Sequence, residues 1–260
     1  EALSEALLGA APEGVLLDAG CGHGDGARRL AERHRRVVAL DRDLDRLRLA
    51  RDLADRYPAR NRPAFVCADI AALPLADGSV AGVLAGEVFE HLTDDAASAR
   101  EIGRALAPGG ALALSVPSGP DRWSEADRAV GHVRRYDRAS LLALLAAGDL
   151  TPVVLHGWGV LFGRAYDRLV LRPAQTARRG PLRRLAGRIG ASRALQRACR
   201  PAFVLDARLD AGERGSGWWA LARCGSDRVD PARDLAEPGR GDRARNRVGG
   251  AADRGEPHPS

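Results

Sequence analysis

Five short apolar runs mark the first half of the chain, and three of them end in an acid. They are 14–18 (Gly-Val-Leu-Leu-Asp), 36–41 (Arg-Val-Val-Ala-Leu-Asp), 64–69 (Ala-Phe-Val-Cys-Ala-Asp), 80–86 and 111–116. They are apolar nearly throughout rather than alternating, the pattern of parallel strands covered on both faces. Before, between and after them lie helix-like stretches at 1–10, 25–34, 44–57, 95–107 and 138–147, the third with Leu44, Leu47, Leu49, Leu53 and Ala54 at roughly helical spacing. The turn Pro108-Gly109-Gly110 leads into the fifth run. Weaker runs at 151–156 and 215–224 predict a sixth and a seventh strand. Strand alternating with helix predicts a doubly wound, seven-stranded, mostly parallel α/β sheet. Such sheets bind ligands beyond the carboxyl ends of their strands. Asp18, Asp41, Asp69 and Glu87 fall at those ends.

The same pattern divides the chain. Residues 1–156 read as the core, 157–212 as a basic helical insertion or lid, 213–224 as the last core strand and 225–260 as a disordered tail of Arg, Asp, Gly and Pro. All 40 basic residues are arginine and the net charge is +6. The excess is uneven: between 158 and 201 the only acid is Asp167. An electrostatic partner would therefore meet the second half. There Trp158, Leu161, Phe162, Tyr166, Leu169 and Leu171 alternate with Arg164, Arg168 and Arg172. They predict either a basic amphipathic helix, able to touch anionic lipid or cover a greasy acceptor, or a plain lid helix packed on the core. Nucleic acid is disfavoured because no binding module accompanies the arginines.

Cys21, Cys67, Cys199 and Cys224 form no CxxC pair, which argues against structural zinc and suits a reducing compartment. No 18-residue apolar run and no signal peptide is present, so the expectation is a cytoplasmic protein, with peripheral membrane contact through the insertion. There is no methionine, not even at position 1, which points to a native start upstream.

The densest chemistry lies in Asp18-Ala-Gly20-Cys21-Gly22-His-Gly24. Glycines let a backbone turn tightly and approach a ligand, and the following helix aims its free N–H groups outward. Gly22, Gly24 and Ala27 also fit G-x-G-x-x-A, a dinucleotide pattern, so the loop alone does not choose between cofactors.

The loop together with later segments resembles the class I S-adenosylmethionine-dependent methyltransferases, of the type 11 and ubiquinone-pathway kind. Asp18 to Gly24 is similar to motif I of that family, D-x-G-C-G-x-G. Asp41, with Arg42 beside it, ends the second run, where the resemblance implies contact with the cofactor ribose. Ala68-Asp69-Ile70 resembles the adenine-contacting segment, followed by Leu73-Pro-Leu-Ala-Asp77-Gly-Ser. Glu87-Val-Phe-Glu90-His91-Leu and Leu106-Ala-Pro-Gly-Gly resemble the segments after the fourth strand and before the fifth. The resemblance covers roughly residues 12–150. It implies S-adenosylmethionine as cofactor, held by Asp18, Gly20, Cys21, Gly22, Asp41, Arg42, Ala68, Asp69, Ile70 and Glu87. Acidic strand ends suit ribose hydroxyls, an adenine amine and a cationic sulfonium, and would repel a pyrophosphate. Each acid has a plainer alternative as a helix cap.

Methyl transfer chiefly requires alignment of the acceptor, and a base only where a proton must leave. His91, His132, Glu87 and Glu90 are the candidates, His91 and His132 foremost, with a packing or hydrogen-bonding role as the alternative for His91. Glu87-x-x-Glu90-His91 also matches the E-x-x-E-H triplet of ubiquinone-pathway and small-RNA methyltransferases, where the resemblance implies a divalent metal. His132 would be its later histidine. Arg134 and Arg135 are placed to meet an anionic acceptor, or form a solvated loop whose Tyr136 packs inward. The expected function is methylation, O-methylation first, of a small-molecule or lipid-like acceptor. The rivals are a nicotinamide-dependent oxidoreductase and a non-catalytic member that only binds the cofactor.

Overall fold

The computed structural model describes residues 2–33, 35–57, 61–160, 163, 206 and 209–225. In chain order, α1 (Ala2–Ala10) leads to β1 (Val15–Ala19), α2 (Asp25–Glu32), β2 (Arg36–Asp41), α3 (Leu44–Arg56) and β3 (Ala64–Cys67). Then follow β4 (Val80–Gly86), a short 3-10 turn at Phe89–His91, α4 (Asp95–Ala105) and β5 (Leu106–Pro117). The second half adds α5 (Glu125–Val130), α6 (Arg138–Ala147), β6 (Leu150–Trp158) and β7 (Gly217–Cys224). One seven-stranded sheet results, in the order β3-β2-β1-β4-β5-β7-β6. β1 to β5 pair in parallel, and β7 runs antiparallel to both of its neighbours. Strand order reverses between β1 and β4, so a crevice opens beyond their carboxyl ends.

The apolar runs follow from burial on both faces. Along β1, Leu16 packs with α1, α2 and α3 on one side, and Leu17 with α4 and α6 on the other. β5 repeats the division, Ala111 and Ala113 facing one core, Leu112 and Leu114 the other. Helix starts are set by acids: Asp43 accepts from Asp45 N (2.9 Å), Asp94 from Ala97 N (2.8 Å) and Asp137 from Ser140 N (2.7 Å).

Two readings of the sequence change. Pro108-Gly109-Gly110 is not a turn before the fifth strand but a bulge within it. Pairing begins at Val80↔Leu106 and resumes at Gly82↔Ala111, with Gly109 at φ 73° absorbing the extra chain. Residues 125–130, with no expected element, form α5, started by a capping box between Ser124 and Asp127. Trp158, expected to start the basic helix, instead ends β6; the rest of that helix to Arg172, Cys199 and the tail beyond Gly225 lie outside the described residues, apart from Gly159, Val160 and Gly163. No helix among the described residues is long and apolar enough to cross a membrane.

Two buried polar joints hold the site's framework. Asp18, 4% exposed at the end of β1, accepts from Ala27 N (2.6 Å) in the first turn of α2. Burial pushes its carboxyl up to about 7, against the lowering effect of that N–H. Tyr136, also buried, donates from its hydroxyl to Asp95 Oδ2 (2.7 Å) and lies 3.2 Å from the Phe89 carbonyl, tying the turn after β4 to α4 and α6.

Tyr136→Phe should cost about 1–3 kcal/mol, read as a lower urea midpoint at unchanged slope. A raised folded pKa means that the contribution of Asp18 is complete below its unfolded value near 3.8 and is lost as pH rises through about 7. Asp18→Asn removes that titration. The thermal midpoint of the wild type should therefore fall relative to the variant between about pH 4 and 7, and parallel curves would refute the assignment.

Candidate active site

The loop after β1 is strapped across the end of β2. Gly20 N and Cys21 N donate to the Leu40 carbonyl (2.8 and 2.9 Å), and Gly22 N donates to Asp41 Oδ2 (2.9 Å). The other oxygen of Asp41 accepts from Asp43 N (2.9 Å), so one carboxylate pins the loop and the start of α3 together. Gly20 stands at φ 71°, and a Cβ there would lie 2.7 Å from a Val88 methyl carbon. Gly22 stands at φ 52° over open space. Glycine is required at both for backbone reasons, and at Gly20 also for closeness to the β4 end.

These turns border a cleft of about 260 Å³ at the carboxyl ends of β1 to β4. Gly20, Asp41, Arg42, Ala68, Asp69, Ile70, Glu87 and His91, all expected from the sequence, line it. The wall is completed by Leu40, Asp43, Arg46, Val88, Leu92, Val130 and Gly131. Asp69 keeps its own turn in place by accepting from Ala71 N (2.9 Å). The following segment is clamped by Arg104, which donates to Leu73 O (3.2 Å), Leu75 O (2.8 Å) and Asp77 (2.6 Å).

The cleft ends at a cluster of acids and imidazoles. Glu87 has φ 55°, a left-handed backbone that non-glycine residues seldom adopt. Glu90 is fully buried, and neither of its carboxyl oxygens has a hydrogen-bond partner among the described residues. Burial first and the nearby Glu87 charge second push Glu90 up to about 9. His91 Nδ1 lies 3.1 Å from the Gly131 carbonyl, and burial lowers its pKa. His132 meets His91 edge-on, ring centres 4.8 Å apart, and its Nδ1 lies 3.0 Å from Asp127 Oδ1. Glu90, His91 and His132 each offer one ligand atom, all within 4.8 Å of one another.

Asp18, Cys21, Gly22 and His132 do not line the cleft. Asp18 acts from behind, as the carboxylate on the first turn of α2. Cys21 is buried, and burial with the Asp18 and Asp41 charges drives its thiol far up, which leaves no thiolate. Arg134 and Arg135 are not presented to an anionic acceptor. Arg134 pairs with Asp95 (2.6 Å) and Thr93 O (2.8 Å), and Arg135 with Asp127 (2.8 Å). The sequence reading missed Arg46, Val130 and Asp127. The spacing Ser124-x-x-Asp127 was a visible capping signal, but its distance from His132 was not.

Residues 17–114 match the family model of the methyltransferase domain. A protein of Mycolicibacterium smegmatis named a probable S-adenosylmethionine-dependent methyltransferase is 34% identical over 151 residues, 56% of each chain. A malonyl-[acyl-carrier protein] O-methyltransferase of Methylovorus is 38% identical over 124 residues, 46% of this chain and 41% of the relative. The chain thus spans about half the length of the curated relatives it matches. The fold is shared with geranyl diphosphate C-methyltransferase from Streptomyces coelicolor, at TM-score 0.56 and 18% identity over 86% of this chain and 80% of that one. A motif I loop on β1, a reversal of strand order beside it and the matched family model make residues 17–114 similar to the methyltransferase domain, and about half of the chain similar to proteins named S-adenosylmethionine-dependent methyltransferases.

Proposed function

We propose that this protein is an enzyme that transfers a methyl group from S-adenosylmethionine to an oxygen of a small-molecule or lipid-like acceptor. The observation that carries the reading is the convergence of Gly20, Asp41, Asp69 and Glu87, from four different strand ends, on one cleft. S-adenosylmethionine supplies the activated methyl group when bound. Asp41, on the cleft wall, is suited to accept from the ribose hydroxyls, and Asp69 from the adenine amine. Ala68 and Ile70 would flank the base, Arg42 would border the ribose side, and Gly20 would bring backbone close to the amino-acid end. A dinucleotide pyrophosphate would want the N-terminus of α2, but Asp18 already occupies Ala27 N there. That internal carboxylate favours a cationic cofactor over a diphosphate.

Acceptor contact falls to the other end of the cleft, where Val88, Leu92 and Val130 adjoin His91. Apolar walls beside an imidazole suit a hydroxyl on a largely apolar body. His91, held neutral by burial, and His132 behind it are suited to take the proton that the hydroxyl loses. The O-methyltransferase among the relatives supports oxygen as the acceptor atom.

A second reading adds a divalent ion at Glu90, His91 and His132. It is favoured by a buried carboxylate with no partner among the described residues and by three donors within reach of one ion. An ion there would orient an acceptor oxygen and favour its deprotonated form.

Calorimetric titration with S-adenosylmethionine should give micromolar binding, weakened at least about tenfold, or about 1.4 kcal/mol, by Asp41→Ala. No binding to folded wild type, with binding of a nicotinamide cofactor instead, would overturn the proposal. Titration with Mn²⁺ alone separates the two proton-handling readings. Saturable binding that Glu90→Gln abolishes supports the ion, and equal heats in both proteins leave the imidazoles as the proton acceptors.

A further inference from the structure

Asp127 is a buried charge, 1% exposed, that the cofactor and acceptor walls do not use. It sits at the third position of α5, and both of its oxygens are ringed by donors. Oδ2 accepts from Ser124 N (2.8 Å) and Ser124 Oγ (2.9 Å). Oδ1 accepts from Arg135 Nε (2.8 Å) and faces His132 Nδ1 at 3.0 Å. A guanidinium on one oxygen and a backbone N–H with a hydroxyl on the other form the surroundings of an ionised carboxylate. An ionised carboxylate can only accept. The proton on the Asp127–His132 contact therefore belongs to Nδ1 of the imidazole.

The other ring nitrogen is then constrained too. His132 Nε2 lies 3.9 Å from Glu90 Oε1, beyond hydrogen-bond length, on the side of Glu90 and His91. The chain path enforces this pose. α5 ends at Gly131 in a left-handed turn (φ 83°), and His132 N donates back to the Asp127 carbonyl (2.9 Å). Residue 132 thus folds over the helix onto the side chain of residue 127. The same turn offers the Gly131 carbonyl to His91 Nδ1, and a carbonyl also can only accept. One helix end thereby presents both imidazoles with an acceptor at Nδ1.

We propose that Asp127 is a positioning residue. It fixes His132 as the Nδ1–H tautomer and keeps the Nε2 lone pair turned toward Glu90 and His91 at the acceptor end of the cleft. The purpose of this arrangement rests on the methyl-transfer reading above: only an unprotonated Nε2 can take an acceptor proton or bind an ion there. The tautomer itself needs neither cofactor nor acceptor to be seen. Arg135 is part of the device, because it balances the Asp127 charge and anchors to the Ser118 carbonyl (3.2 Å).

The test is long-range proton–nitrogen correlation NMR of the ¹⁵N-labelled full chain at pH 7.5, with the His132 signals assigned by His132→Gln. Wild type should show a protonated Nδ1 and an unprotonated Nε2 at His132. Asp127→Asn should introduce the Nε2–H form, while His91, held by a backbone carbonyl, keeps its pattern. A protonated Nε2 in the wild type overturns the proposal without any variant, so a misfolded Asp127→Asn does not shield it. A folded Asp127→Asn with an unchanged His132 spectrum overturns it as well. S-adenosylmethionine is titrated into the same wild-type sample. Failure to bind removes the cofactor reading and leaves the tautomer result standing, whereas binding with the wrong tautomer removes only the role of Asp127.

Discussion

A parallel sheet with helices on both faces constrains everything else in this molecule. Parallel strands need crossovers, and crossovers cover both faces, so β1 and β4 are apolar along almost their whole length. Polar chemistry is then confined to strand ends. Because the strands run in parallel, their carboxyl ends share one edge of the sheet. Asp18, Asp41, Asp69 and Glu87 are neighbours for this reason, although up to 69 residues of sequence separate them. The reversal of strand order between β1 and β4 supplies the room for a ligand among them.

The acids at that edge divide the work. Asp18 is turned inward and serves the first turn of α2, a position where other folds of this architecture hold a phosphate. Asp41 bridges two loops with its backbone bonds and still faces the cleft. Glu87 and Glu90 stand close enough that their charges oppose each other, and burial adds to the cost of ionising Glu90. A fully buried carboxyl with no hydrogen-bond partner among the described residues is costly to stability. It stands beside two imidazoles whose Nδ1 atoms face the acceptors Asp127 and the Gly131 carbonyl.

Arginine serves architecture more than recognition here. Arg104 fixes the segment after Asp69, Arg134 fixes Asp95, and Arg135 fixes Asp127. Arg104 and Arg134 span segments distant in sequence, whereas Arg135 joins neighbouring turns around the end of α5. Charge excess in the sequence is therefore a poor guide to what the described part of this chain binds. Folds of this kind carry many chemistries, and the case for methyl transfer rests on the cleft wall and not on the sheet.

The sequence by itself determined the sheet and much of the cleft wall. Burial on both faces leaves an unbroken apolar run, a left-handed turn leaves glycine at 20 and 22, and a strand end leaves an acid at 41. Each is a local demand written into a few adjacent residues. The bulge at Gly109 was misread as a turn because glycine satisfies either geometry, and only the pairing of β5 with β4 separates them. Tertiary structure alone decided the cluster of imidazoles and acids beside the cleft. Asp127, His132, Glu90 and Gly131 meet there through a six-residue helix and its cap, and Arg134 and Arg135 turn away into ion pairs. Contacts of that kind depend on how separate segments pack in space, and packing leaves no period or spacing in the chain.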